Sequence, residues 1–130
     1  MNGITFGQVL IVGMGGFVGS SLRFVVHHWV QKAWLPGVFP FGTLAVNMIG
    51  CLLIGLVIGL SDMRGLLDQQ WRLFLAVGVL GGFTTYSSFA YENFTLLSSA
   101  EFLKLGINIV VQISLGLLLA WAGYQGARFI

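Results

Sequence analysis

Thr43 and Asn47 stand four residues apart in the run Gly42-Thr43-Leu44-Ala45-Val46-Asn47, which is otherwise apolar. In a helix that spacing puts both side chains on one face. A carboxamide carries two N–H donors and a hydroxyl carries one O–H, so the pair can solvate an anion. The plainer reading is a helix–helix hydrogen bond, worth about 0.6 kcal/mol on average in membranes. A denser polar group follows at Gly81-Gly82-Phe83-Thr84-Thr85-Tyr86-Ser87-Ser88-Phe89. Paired glycines followed by Thr84, Thr85, Ser87 and Ser88 are poor helix material. A break there frees N–H groups and also carbonyls, which suit a hard cation. Irregular backbone at membrane depth is tolerated only when buried in protein or lining a water-filled cavity. Tyr86 and Phe89 share a face where the helix resumes, and their positively polarised ring edges can face an anion. The plainer alternative is a kinked packing helix whose hydroxyls satisfy its own backbone. Asn108, Gln112 and Gly116, again at spacings of four, form a third stripe, either an interhelical seam or part of a polar path.

The other candidates carry less chemistry. Arg23 lies at the end of the first apolar run; it either reaches the interface along its stem or draws anions to a pore mouth. Glu92, one turn past Phe89, reads as a salt-bridged or solvated carboxylate. His27 and His28 are adjacent, so they point apart on a helix, and no Cys or Asp completes a metal site around them. Cys51, the sole cysteine, reads as a small packing residue. The apolar segments thus offer donors and ring edges, with no acid near the middle of a span. Donors suit an anion that must shed water. No nucleophile–base pair is visible, so an enzyme is not expected.

The elements that hold these residues are set by composition. The chain has 130 residues, of which 57% are hydrophobic and 8% charged, against about 25% charged in soluble domains. A spanning helix takes roughly 20 apolar residues, so the length fits four spans and short loops. The expected architecture is an all-α integral membrane protein, a single transmembrane domain over residues 1–130 with helices near 4–30, 42–60, 71–97 and 102–127. The start Met1-Asn2-Gly3-Ile4-Thr5 has no Lys or Arg, so the first apolar run reads as a retained span rather than a signal peptide. The loop Pro36-Gly37-Val38-Phe39-Pro40 is marked by its prolines. The net charge of +2 is too small and scattered for nucleic acid. Gly15 and Gly19, Gly55 and Gly59, and Gly78 and Gly82 have the small-xxx-small spacing of close helix contacts.

Orientation follows the distribution of Lys and Arg in short loops. Arg64, Arg72 and Arg128 fall on one side, and Arg23, Lys32 and Lys104 on the other, three against three. No side wins, which favours insertion in both orientations and an antiparallel, dual-topology homodimer. A fixed orientation set by the depth of each charge is the alternative.

With these motifs in order, the chain resembles the small fluoride channels called Fluc or CrcB. The resemblance spans essentially the whole chain and rests on Gly-Ser-Ser-Leu-Arg at Gly19 to Arg23, on Gly42 to Asn47, and on Gly81 to Phe89 followed by Glu92. It implies a multi-pass protein of the bacterial cytoplasmic (inner) membrane, with two pores per antiparallel homodimer and a third helix broken mid-membrane. By resemblance, Asn47 lines the fluoride path. Tyr86 and Phe89 match two phenylalanines whose edges face fluoride. Thr43, Ser87 and Ser88 match polar-track hydroxyls in part, Gln112 stands in for another, and Arg23 matches the basic residue of the first span. The resemblance also implies a structural sodium ion (Na+) at the dimer centre, held by carbonyls at Gly81 and Thr84. Passive fluoride exit would give the cell fluoride resistance. The chain departs from the pattern at Tyr86, where Phe is usual, and at Gly116 and Ala120, where hydroxyls are expected. A small dual-topology exporter of cationic drugs is the alternative; it needs an acid within a span. A purely structural membrane subunit is the third reading.

Overall fold

The computed structural model describes residues 3–34, 37 and 39–130; Pro36 and Val38 of the first loop, and the Met1-Asn2 start, lie outside them. Thr5 begins the first helix, α1 (Phe6–Ala33). Its hydroxyl accepts from the Gln8 backbone N–H while the Gln8 side chain accepts from the Thr5 N–H, a reciprocal cap that satisfies two otherwise orphaned donors. Helix α2 (Phe41–Arg64) follows. Gln31 of α1 ties the two together: its Nε2 donates to the Phe39 carbonyl (3.1 Å) and its Oε1 accepts from the Gly42 N–H (2.9 Å). Helix α2 runs past Leu60, because Ser61 and Asp62 are tolerated where the helix surfaces. It ends at Gly65, whose φ of +61° gives the left-handed cap that glycine adopts without strain.

The third long apolar stretch, Gln69–Ser98, is bent. It opens as α3 (Gln69–Arg72), capped by the Asp68 side chain on the Trp71 N–H. A π-helical segment, Leu73–Leu80, and a short turn, α4 (Gly81–Phe83), continue it. Such wide helical segments are rare and concentrate at functional sites. Thr84 (φ −81°, ψ 161°) and Thr85 (φ −149°, ψ 116°) are extended. Helix α5 (Tyr86–Ser98) then resumes, and α6 (Phe102–Gly126) returns after a tight turn, ending in a 3-10 turn, Ala127–Phe129. The four long helical stretches are each long and apolar enough to cross a membrane. The protein is therefore a multi-pass, all-helical membrane protein.

Glycine sets the packing. In lipid, helix association depends on close backbone approach rather than on hydrophobic drive. A Cβ on Gly15 or Gly78 would run into the facing backbone, since each Cα is the other's near neighbour, and one on Gly19 would overlap the Val79 carbonyl. These contacts join α1 to the π segment. On the other side, a Cβ on Gly55 would overlap the Ala120 carbonyl, one on Gly123 the Leu52 carbonyl, and one on Gly59 would lie 2.7 Å from the Tyr124 carbonyl oxygen. These contacts join α2 to α6. Gly82 meets Gly16 in the same way. All six glycines singled out by spacing lie at backbone contacts. Val46, Leu96, Thr43 and Asn108 are the largest fully buried side chains.

Candidate functional site

The bend creates the site. In a continuous helix the Thr85 N–H would meet the Gly81 carbonyl. Here it donates instead to Asn47 Oδ1 (2.9 Å), and Asn47 Nδ2 donates back to the Thr85 carbonyl (3.2 Å). One carboxamide from α2 thus pairs with both backbone groups of a single residue, Thr85, where the helical turn is missing. The Thr85 hydroxyl caps α5, accepting from the Ser88 N–H (3.2 Å) and donating to Ser88 Oγ (3.0 Å). Its Oγ1 also lies 3.4 Å from Ser87 Oγ. The N-terminal end of α5, where aligned peptide dipoles leave partial positive charge, therefore opens beside Asn47.

A cavity of about 410 Å³ lies at this point, lined among others by Asn47, Thr85, Tyr86, Phe89 and Gln112. Gly81 and Thr84 border it as well. The Tyr86 and Phe89 rings are neighbours, with centroids 6.0 Å apart at 53°. Tyr86 is 81% exposed, so its ring turns outward from this chain. Asn47 Nδ2 also donates to Gln112 Oε1 (2.8 Å); both Asn47 hydrogens are engaged.

The remaining expected residues lie outside this cavity. Thr43 is fully buried and donates through a short hydrogen bond to Glu92 Oε1. Glu92, expected to be salt-bridged or solvated, faces His27. It sits mid-way along α5, its Oε1 lies 4.0 Å from His27 Nε2, and its buried Oε2 has no partner among the described residues. Arg23 neither projects to a distant interface nor stands free: its Nη1 donates to the Thr84 carbonyl (3.1 Å). Ser87 is exposed and Ser88 half-buried. Gly116 is buried, and a Cβ on it would lie 3.3 Å from Cys51 Sγ and 3.5 Å from the Met48 methyl.

Thr85 and Asn93 are the polar residues that spacing did not single out as site members. Thr85 was one of a run of hydroxyls, and only the bend distinguishes it. Asn93 accepts at Oδ1 from Asn108 Nδ2 (2.9 Å). The signal for that pair was present: Asn93 lies seven residues before Ala100 and Asn108 eight after it, as two facing positions of one helical hairpin.

The carbonyls at the bend are oxygen donors of the kind hard cations take. The exposed Gly81 has lost the N–H of Thr85 as a helical partner. The Thr84 carbonyl is shared with Arg23 and keeps one lone pair. As donor types both carbonyls suit a cation, the first more openly than the second, whose oxygen already carries the Arg23 guanidinium.

Comparison with known proteins decides the family. The model of the family described as CrcB-like protein, Camphor Resistance (CrcB), matches residues 10–124. The chain belongs to this family. It is similar to the fluoride-specific ion channel FluC of Thermus thermophilus, 49% identical over 118 residues, covering 91% of each chain. It is also similar to fluoride-specific ion channel FluC 3 of Methanosarcina barkeri, 40% identical over 115 residues, or 88% of this chain and 86% of that one. The FluC of Geobacter sulfurreducens is 42% identical over 120 residues, covering 92% and 96%. These CrcB-family relatives are named as channels rather than enzymes, and none of these names supports the cation-exporter reading.

Proposed function

We propose that the chain is a fluoride-selective channel that lets the anion leave the cytoplasm passively. It works in the cytoplasmic (inner) membrane as an antiparallel, dual-topology homodimer with two pores. The observation that carries this is the convergence of Asn47, Gln112, the α5 N-terminus and the Tyr86 and Phe89 side chains on one cavity at the bend, in a chain whose relatives are fluoride channels by name.

The bend is read as a mid-membrane break in the third span. Fluoride entering this path exchanges water for N–H and O–H groups and for the ring edges of Tyr86 and Phe89. Because both Asn47 hydrogens are already engaged, the anion gains a donor by taking the place of Gln112 Oε1 at Asn47 Nδ2. Thr43 of α2, and Ser87 and Ser88 in the first turn of α5, supply hydroxyls along the rest of the path. A narrow donor-lined path solvates the larger chloride poorly. At the contact between copies, the Gly81 and Thr84 carbonyls would hold a sodium ion, which supplies fixed positive charge and joins the protomers.

Liposomes carrying the purified protein test the reading. Fluoride leaves rapidly, read by electrode, while chloride stays. Asn47→Asp puts a carboxylate where fluoride needs a donor and lowers efflux at least about tenfold, the factor set by ~1.4 kcal/mol of barrier. No fluoride loss from a folded wild-type dimer, or intact flux in Asn47→Asp, overturns it.

A further inference from the structure

Four side-chain amides form one head-to-tail line. Asn47 Nδ2 donates to Gln112 Oε1 (2.8 Å), Gln112 Nε2 to Asn108 Oδ1 (3.2 Å), and Asn108 Nδ2 to Asn93 Oδ1 (2.9 Å). The line runs from α2 through α6 to α5. Each amide has one oxygen that only accepts and one nitrogen that only donates, so turning any one over sets donor against donor at its neighbour. The Thr85 N–H fixes the polarity at one end, because only the oxygen of Asn47 can accept from it. The other end is closed by Asn93. Asn108 is fully buried, and a buried amide hydrogen without an acceptor is costly, so Asn93 Oδ1 is what keeps Asn108, and through it Gln112, from turning over.

We infer that Asn93, which does not line the cavity, is a positioning residue for the anion path: as terminal acceptor of the amide line it holds Gln112 with its oxygen toward Asn47 and its nitrogen turned away. This rests on the fluoride-channel reading for its consequence, though not for the line itself. With Asn93 lost, Asn108 and Gln112 sample the reversed orientation. Gln112 then sets its N–H against the Asn47 N–H, and Asn47 is pulled off the Thr85 peptide. The acceptor function needs only an oxygen, so Asp serves as well as Asn at this position, while a hydrocarbon of similar size does not.

The experiment compares Asn93→Asp, Asn93→Leu and Asn93→Ala in the full-length protein, each first shown to elute from size exclusion as the wild type does. Fluoride efflux from liposomes falls about tenfold or more in Asn93→Leu and Asn93→Ala, the factor set by ~1.4 kcal/mol of barrier, and is retained within about threefold in Asn93→Asp, a difference below that one decade. Rescue by the acid separates positioning from packing, because a packing role prefers Leu to the charged side chain. If Asn93→Leu misfolds, Asn93→Ala against Asn93→Asp decides. Independently of flux, the side-chain amide resonances of Asn47 and Gln112 in the 15N-labelled protein shift in Asn93→Ala and stay near wild type in Asn93→Asp. Wild-type efflux in the same liposomes tests the channel reading by itself. Amide resonances that do not move in Asn93→Ala, or wild-type flux in both Asn93→Ala and Asn93→Leu, overturn the role of Asn93.

Discussion

Tyr86 is where residue chemistry and exposure meet most directly. Its ring is 81% exposed in the single chain yet borders the cavity beside Phe89. A ring edge is what an anion path uses; a phenolic hydroxyl is an addition to it. Tyr86→Ala removes the edge and Tyr86→Phe keeps it. Efflux in Tyr86→Ala therefore falls below that in Tyr86→Phe by at least about tenfold, one decade per ~1.4 kcal/mol of barrier. Equal flux in the two would remove the ring from the path. Arg23 poses a different question, since its charge and its hydrogen bond to the Thr84 carbonyl predict different behaviour. Attraction of anions by charge weakens with salt, because the Debye length falls from about 30 Å at 0.01 M to about 3 Å at 1 M. A fixed bond of 3.1 Å does not. The loss of efflux in Arg23→Gln persists across that salt range, which assigns the residue to holding the bend; a loss confined to low salt assigns it to steering. Neither Thr85 nor the direction of Arg23 was legible in the sequence. Both depend on where a single extended dipeptide points, and a run of Thr and Ser carries no mark of which hydroxyl caps the resumed helix.

At the scale of elements, the sequence says most through glycine. The spacings at Gly15 and Gly19, Gly55 and Gly59, and Gly78 and Gly82 locate the backbone contacts of α1 with the π segment and α4, and of α2 with α6. The apolar runs locate the four helical stretches, because nothing else in so uncharged a chain can satisfy its backbone in lipid. The π-helical winding of Leu73–Leu80 was not legible: it follows from fitting Gly78 and Gly82 against α1 while the chain approaches the bend, and the local sequence is an ordinary apolar run. Gly123 and Gly106, both on α6, separate packing from propensity. A Cβ on Gly123 would overlap the Leu52 carbonyl, whereas one on Gly106 meets nothing within 4 Å. Gly123→Ala therefore pushes α6 from α2 and destabilises by roughly 1–3 kcal/mol, the usual cost of overpacking. Gly106→Ala is neutral or stabilising by up to about 1 kcal/mol, from helix propensity. Thermal unfolding in detergent reads both, and a Gly123→Ala protein as stable as wild type would mean that the two helices separate freely.

For the molecule as a whole, the deciding property is the balance of positive charge. Arg64, Arg72 and Arg128 on one side against Arg23, Lys32 and Lys104 on the other leave three charges each way, so the count of positive charge names no cytoplasmic side, in keeping with the proposed dual topology. An antiparallel dimer needs both orientations. Leu66 in the loop between α2 and α3 and Gln69 at the start of α3 are exposed, as are Ser98 and Ser99 beside the turn into α6. Leu66→Lys with Gln69→Lys raises the first side from three charges to five; Ser98→Lys with Ser99→Lys does the same for the second. Each doubly substituted chain then inserts in one orientation, has no oppositely oriented copy to meet, and fails to confer fluoride resistance when expressed alone. Expressed together, the two supply one protomer of each orientation, and resistance returns. A single biased variant that conducts by itself, with the other silent, would instead show one fixed orientation and a parallel assembly, and the even charge balance would then be set aside by the depth at which each Lys and Arg lies.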